Sequence, residues 1–333
     1  MASTIFDNHG RPITYVRLAV TDRCNLRCFY CMPAEGIQYV PRKELLSYEE
    51  MLRMLEILAG MGIQKVRLTG GEPFVRKGLM DFLERLSRIE GIEQINITTN
   101  GVLTTPFVPA LKELGIHSVN LSLDTLDRDR FHEMTRRDEL PRVLKCLDSL
   151  LEHGISTKIN AVIMEGKNTD DIHSLAEFTR DHPINVRYIE EMPFNGTGTH
   201  YPVLSWDHQR ILAELRRHYP AIQKIEDEAH STSHNYQIPG YKGSVGIIAA
   251  FSRTFCGSCN RIRVTPQGML KTCLYDGGVL NIRDLMRANL KDDAPVREAF
   301  LSSFRSRAKN GYEAEKSRKA LNPVSESMST IGG

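Results

Sequence analysis

The sequence has no apolar run approaching the ~20 residues that a membrane span needs. Its first twenty residues, M-A-S-T-I-F-D-N-H-G-R-P-I-T-Y-V-R-L-A-V, hold no apolar core of the kind a secretory leader carries. Neither charge is in excess, since 43 Lys and Arg face 41 Asp and Glu for a net charge of +2. That balance gives no global argument for a nucleic-acid or membrane partner, so any basic function has to be local. Basic stretches interleaved with aromatics, the mark of a nucleic-acid face, are also missing. There is no internal repeat or low-complexity tract. A cytoplasmic protein without membrane or nucleic-acid partners is expected. At 333 residues with 41% apolar and 25% charged composition, the chain can bury the core of one large domain, or of a domain with an extension.

What the chain does have is cysteine in an unusual arrangement. Residues 21–33 read T-D-R-C-N-L-R-C-F-Y-C-M-P, placing Cys24, Cys28 and Cys31 at C-x3-C-x2-C. Near the other end Cys256, Cys259 and Cys273 form C-x2-C-x13-C. Each trio is one ligand short of a tetrahedral zinc site and one thiol more than a disulfide pair. In a reducing compartment both read as metal ligands. Three thiolates can hold three irons of a [4Fe–4S] cubane and leave the fourth iron open. Zinc is the alternative. A distant histidine would complete the first trio, while His230 and His234, at H-x3-H, would join Cys256 and Cys259 and leave Cys273 idle. Cys146, in L-K-C-L at a helical position, reads as a small buried apolar residue.

Strand patterns at 15–21, 65–69, 95–99, 119–123, 158–163 and 185–190 alternate with helical ones at 47–58, 79–86, 141–151 and 170–179. Ser47 with Glu50 makes a capping box. Six strand–helix units predict a parallel α/β sheet, and six are too few to close a full barrel, so an incomplete (β/α)6 TIM-like barrel is expected. After Pro193 the pattern changes. One helix is expected near 207–218, short strands within 245–275, and helices near 282–290 and 295–307. The division is an N-terminal segment 1–14, the partial barrel 15–230, and a C-terminal region 231–333 carrying the second cysteine trio.

Two further features carry chemistry. G-G-E-P (70–73) follows the second strand, where two glycines let a backbone edge approach a ligand closely and Glu72 adds an acceptor. Arg17, Arg67, Lys158 and Arg187 each sit within a different strand pattern, where a doubly covered parallel strand should be apolar. Lys65, two residues before Arg67, faces the same way. Sharing one inner wall, these side chains would make a cationic pocket for a polyphosphate.

The first trio, with Phe29-Tyr30 inside it, resembles the radical S-adenosylmethionine (SAM) superfamily. Two trios on one incomplete barrel, with C-N-R-I-R at the second, resemble more narrowly the molybdenum-cofactor biosynthesis protein A family, the GTP 3′,8-cyclases, along essentially the whole chain. The resemblance implies two [4Fe–4S] clusters, the first binding SAM through its open iron. It assigns Gly71 and Glu72 to the segment holding the SAM amino group, Ser122 to the ribose and carboxylate region, and Tyr30 and Met192 to the adenine side. GTP is implied among Arg17, Lys65, Arg67, Thr98, Lys158, Arg187, Arg261, Ile262 and Arg263, with its base at the second cluster. In the implied reaction a 5′-deoxyadenosyl radical takes H3′ of GTP, C3′ attacks C8 of guanine, and 3′,8-cyclo-7,8-dihydro-GTP results.

The family further implies an electron donor such as flavodoxin or ferredoxin, hand-over of product to cyclic pyranopterin monophosphate synthase, and a homodimer. It also makes the last residues, Gly332 and Gly333, a catalytic element that reaches back to Arg17, where composition alone suggests a frayed end. Two rival readings are a two-cluster peptide maturase, which tends to carry more cysteines after the barrel, and a non-catalytic zinc or iron–sulfur nucleic-acid-binding protein.

Overall fold

The computed structural model describes residues 4–196, 204–318 and 326–332. Strands β1 (Tyr15–Ala19), β2 (Lys65–Thr69), β3 (Gln94–Thr99), β4 (Ser118–Ser122), β5 (Ser156–Ile163) and β6 (Asn185–Glu190) pair in parallel in chain order. The six expected units are present. Helices at Tyr48–Ala59, Leu79–Leu86, Leu140–Glu152 and Asp171–Phe178 lie between them. The capping box forms, with Ser47 Oγ accepting from the Glu50 amide at 3.1 Å and Glu50 Oε2 accepting from the Ser47 amide at 2.7 Å.

The C-terminal region adds β7 (Gln223–Lys224), β8 (Ser233–Gln237), β9 (Ser244–Ile248), β10 (Arg261–Val264), β11 (Met269–Lys271) and β12 (Leu280–Asn281). They join the same sheet, whose order is β12-β11-β10-β1-β2-β3-β4-β5-β6-β9-β8-β7. β10 runs parallel beside β1 and β9 parallel beside β6. The wall is thus wider than the six strands read from the sequence. It stays open because β9 and β10 turn to antiparallel neighbours, not to each other.

Along each strand the side chains alternate between two faces. Val16, Leu18, Val66, Leu68, Ile97, Val119, Leu121, Ile159, Ala161, Val186, Val245, Ile262 and Val264 join the main hydrophobic core. The intervening positions carry the polar and charged residues. This explains the cations that a doubly covered strand should not have: the inner face of this sheet surrounds a cavity. Helices at Ile282–Ala288 and Ala294–Arg305 follow as expected, and a short one at Met328–Ile331 ends the described tail.

Candidate functional site

Both cysteine trios open into one cavity lined by Cys24, Cys28, Cys31, Cys256, Cys259 and Cys273. The first trio follows the C-terminal end of β1. Cys256 and Cys259 precede β10, which runs parallel to β1 with Tyr15 opposite Arg261. The two trios therefore approach the cavity from opposite ends of the sheet.

The first trio is held by backbone. The amides of Arg27 and Phe29 donate to the carbonyls of Thr135 and Met134, and Arg136 donates to the carbonyls of Arg27 and Met32. Gly70, at φ +140°, and Gly71 pack against this loop, where a Cβ would come within 2.3 Å of the Thr21 carbonyl oxygen and 2.2 Å of that of Arg23. The glycines thus let β2's extension pair with the cysteine loop, and both also line the cavity. Glu72 is fully buried behind them. It accepts from Thr99 Oγ1 at 2.8 Å and from the amides of Asn100 (2.7 Å) and Phe74 (3.2 Å). Burial outweighs those hydrogen bonds and pushes its carboxyl up to about 7. Asn100, which the sequence reading missed, links this carboxylate to the trio, its side-chain amide donating to Cys24 Sγ at 3.7 Å.

Ser122, Met192 and Tyr30 line the cavity too. The Tyr30 hydroxyl donates to Asp124 at 2.6 Å, and burial raises the Asp124 carboxyl to about 6. Asp124 is a second missed residue, two positions after Ser122 and so on the same face.

At the other end Cys259 is gripped by Arg307, which donates to its sulfur at 3.2 Å and to its carbonyl at 2.9 Å. Burial would raise this thiol, but Arg261 and Arg307 bring it down to about 6. Burial raises Cys24 and Cys273 to about 11, and Cys28 and Cys31 are raised too, by burial and then by neighbouring charge, that of Cys31 and Cys24 on Cys28 and that of Cys24 and Asp124 on Cys31. The zinc arrangement is not formed. His230 Nδ1 pairs with the Ser258 carbonyl, and His234 faces Thr254 and Asp227. Among the described residues, neither trio has its sulfurs all within 4.8 Å of one another. Ligands of one tetrahedral zinc sit closer, about 3.8 Å apart for Zn–S bonds of about 2.3 Å. Three thiols in each trio, all opening into the cavity, are the donor set of a [4Fe–4S] cubane whose fourth iron stays open, so the residues fit that group. The side chains that do gather so closely, His173, Glu214 and His218, lie away from this cavity, and Arg217 already holds Glu214 at 2.7 Å.

Between the trios stands the cationic wall. Arg17, Arg187, Arg261 and Arg263 line the cavity with Thr98. Arg67 is buried just behind, its Nε donating to Tyr15 Oη at 2.7 Å. Lys65 and Lys158 lie toward the N-terminal ends of β2 and β5. Burial, then Arg187, lowers Lys158 to about 8; burial, then Arg67, lowers Arg187 to about 10. The cations thus share one electrostatic environment. Ile262 is the exception, since its side chain lies in the core on the sheet's other face. Cys146 is fully buried, as expected of a packing residue. Thr69 Oγ1, Asn120 Oδ1 and Asn160 Oδ1 face the cavity buried and without a protein partner, which calls for a polar ligand.

The tail enters this cavity. Ser327 Oγ donates to the Cys31 carbonyl at 2.7 Å, Met328 and Ser329 join the lining, and Arg263 donates to the Gly332 carbonyl. Gly333 lies outside the described residues.

Residues 18–179 match the Radical SAM superfamily and residues 184–313 match Molybdenum Cofactor Synthesis C. The chain is 42% identical over 285 residues to Molybdenum cofactor biosynthesis protein 1 of Drosophila melanogaster, covering 86% of this chain but only 50% of that longer protein. It is 40% identical to the mitochondrial GTP 3′,8-cyclase of Arabidopsis thaliana, covering 88% and 75% of the two chains. With the GTP 3′,8-cyclase of Alkaliphilus oremlandii it shares 38% identity across 98% and 99%. The fold is also that of SuiB from Streptococcus suis, solved bound to S-adenosylmethionine, at a TM-score of 0.61 over 86% of this chain and 68% of that one, with 18% identity. Full-length similarity to the bacterial protein, with both halves matched in order, means that this chain belongs to the GTP 3′,8-cyclase family of the radical SAM superfamily.

Proposed function

We propose that this chain cyclises GTP to 3′,8-cyclo-7,8-dihydro-GTP, the first step of molybdenum-cofactor biosynthesis. The observation that carries this reading is the single cavity with a thiol trio at each end and a wall of cations between. When bound, a [4Fe–4S] cluster with SAM at the first trio supplies the hydrogen-abstracting radical, and a second cluster at the other trio supplies an open iron for the guanine base.

The protein's own part is to bind and orient. Cys24, Cys28 and Cys31 hold the first cluster; Gly71, with Glu72 fixing the turn, Ser122, Tyr30 and Met192 hold SAM. Arg17, Lys65, Arg67, Lys158, Arg187, Arg261 and Arg263 neutralise the triphosphate, with Thr98 beside them and Ile262 contributing backbone only. Charged hydrogen bonds are strongest where water is excluded; Arg67 and Arg263 are buried and the other cations are half-buried. Anchoring GTP at both phosphate and base fixes C3′ against the abstracting group, which is where positioning gains most rate.

The reading calls for a low-potential electron donor such as flavodoxin or ferredoxin, for cyclic pyranopterin monophosphate synthase to take the product, for a homodimer, and for the cytoplasm as its compartment. Among the described residues no helix is long and apolar enough to cross a membrane. The test is anaerobic incubation of the cluster-loaded protein with SAM, reductant and each nucleoside triphosphate in turn, followed by chromatographic separation and mass analysis. GTP alone should give an isomeric, cyclised product with 5′-deoxyadenosine. Product from a peptide, or none from GTP, would overturn the reading.

A further inference from the structure

Three adjacent strands present their inward side chains in two rungs. Tyr15 on β1 stands between Arg261 on β10 and Lys65 on β2; Arg17 stands between Arg263 and Arg67. Five of the six side chains are cations, and Tyr15 is the exception. Neighbouring strands lie only about 4.8 Å apart, and like charges directly opposite one another are destabilising. The grid needs an acceptor at its centre.

Tyr15 supplies it. Its hydroxyl oxygen accepts from Arg67 Nε at 2.7 Å and from Arg17 Nε at 3.3 Å, while Lys65 Nζ sits 5.4 Å from its ring centroid. Arg67 is fixed from a second side, because its Nη1 donates to the Ile97 carbonyl at 3.3 Å. Arg187 and Arg263 face the same region. A ring that merely filled the wall would need no oxygen where two guanidinium groups converge. Burial alone would raise this phenol, but the charges of Arg67, Arg17 and Arg261 bring it down to about 6, in keeping with an oxygen that serves as an acceptor.

From this geometry we infer that Tyr15 is a positioning residue: its oxygen holds Arg17 and Arg67 by their Nε–H groups so that the remaining guanidinium edges meet the phosphates of the substrate. The inference rests on the proposed function, since it takes the ligand of this wall to be a nucleoside triphosphate. With its Nε taken, Arg17 keeps its outer N–H pair in one plane for a phosphate oxygen, while Arg67, whose Nη1 already meets the Ile97 carbonyl, is left to offer Nη2. Tyr15 thus acts through the arginines and not by touching the ligand.

The experiment uses the holoenzyme, loaded anaerobically with both clusters, and measures equilibrium affinity for GTP and for guanosine together with iron content and melting temperature. Tyr15→Phe keeps the ring and removes the acceptor. It should weaken GTP about tenfold or more and leave guanosine within about twofold. Because Tyr15 works through Arg17 and Arg67, adding Tyr15→Phe to a variant already carrying Arg17→Ala and Arg67→Ala should cost less than about threefold further, a non-additivity that a wall-filling role would not produce. Tyr15→Glu puts a carboxylate acceptor in its place and should recover much of the GTP affinity; it also carries the test if the Phe variant loses iron. Additive losses, equal losses for GTP and guanosine, or a Glu variant no better than Phe would overturn the role of Tyr15 alone. A wild-type protein that prefers guanosine or shows no preference would overturn the triphosphate reading itself, and this inference with it.

Discussion

Arg307 holds Cys259 twice, by its sulfur at 3.2 Å and by its carbonyl at 2.9 Å. The same guanidinium donates to the carbonyls of Thr272 and Arg261 and pairs with Asp7 at 3.3 Å. It is only 3% exposed. One side chain from the end of the helix Ala294–Arg305 thereby joins the N-terminal segment, β10 and the residue preceding Cys273. Removing it leaves several buried acceptors unmet, each a cost of ~1–3 kcal/mol. Arg307→Met should therefore lose about four irons, those of the second cluster, and keep those of the first. Iron analysis with Mössbauer spectroscopy checks this. Full iron content would mean that Arg307 only packs the helix end.

The two trios should fail differently. Cys24→Ser, Cys28→Ser and Cys31→Ser should each abolish SAM cleavage even without GTP. Cys273→Ser should keep measurable 5′-deoxyadenosine formation and lose the cyclised product. Cys146→Ala, in the core and off the cavity, should be nearly silent in iron content and product. Assay of 5′-deoxyadenosine and product side by side separates these cases, and SAM cleavage by any first-trio variant would tell against the assignment.

Lys158 gives a pH signature. Its amine is lowered from the ordinary 10.5 to about 8, first by burial and then by Arg187. Above that value it is neutral and no longer attracts phosphate, so kcat/KM for GTP should fall as pH rises through about 8. The stability sign is opposite. Folding favours the neutral amine, so the group penalises the fold below about pH 8 and the penalty fades as pH rises toward the unfolded value. Lys158→Met should thus melt higher than wild type at pH 7 while binding GTP more weakly. Lys158→Arg should remove the alkaline limb of the rate profile. An unchanged limb in Lys158→Arg would assign it to another group.

Much of this was legible in the sequence because the local signals agree with the fold. β2 occupies Lys65–Thr69, the pattern read there, since K-V-R-L-T alternates with period two and ends on Gly-Gly. The cysteines were legible because ligand spacing is local. What was not legible is long-range pairing. Nothing in R-I-R-V says that it will lie parallel beside Y-V-R-L-A, some 246 residues away, yet that register creates the cation grid around Tyr15. Tyr15 itself reads as an ordinary strand aromatic until its neighbours are known. Glu72 is similar: its type announces an acceptor, but only the fold shows that Thr99, Asn100 and Phe74 take up its oxygens.

The tail tests the reading most directly. Through Gly332 it is docked and not frayed: Ile331 packs with Phe194, Tyr275 and Ala314, and Ser327 forms a bridge with Asn195. At Gly332, φ is +75° and a Cβ would lie 2.3 Å from Thr69 Oγ1 and 3.3 Å from the Ala19 Cβ. Only glycine fits there without displacing the ends of β1 and β2. Gly332→Ala should therefore unseat the chain end while the buried Ile331 keeps the rest of the tail in place. Deleting Gly332 and Gly333 should leave fold, iron content and GTP affinity largely intact, because the arginine wall and both trios are built elsewhere, yet it should remove GTP-dependent turnover. Arg263 loses the Gly332 carbonyl in that variant, and with it the contact that joins the tail to the rung containing Arg17. A peptide matching the tail, added in trans, should restore part of the rate, and one ending in Ala-Ala should not. Steady-state assays of the truncated enzyme decide the matter: cyclisation at the wild-type rate would reduce the docked tail to packing.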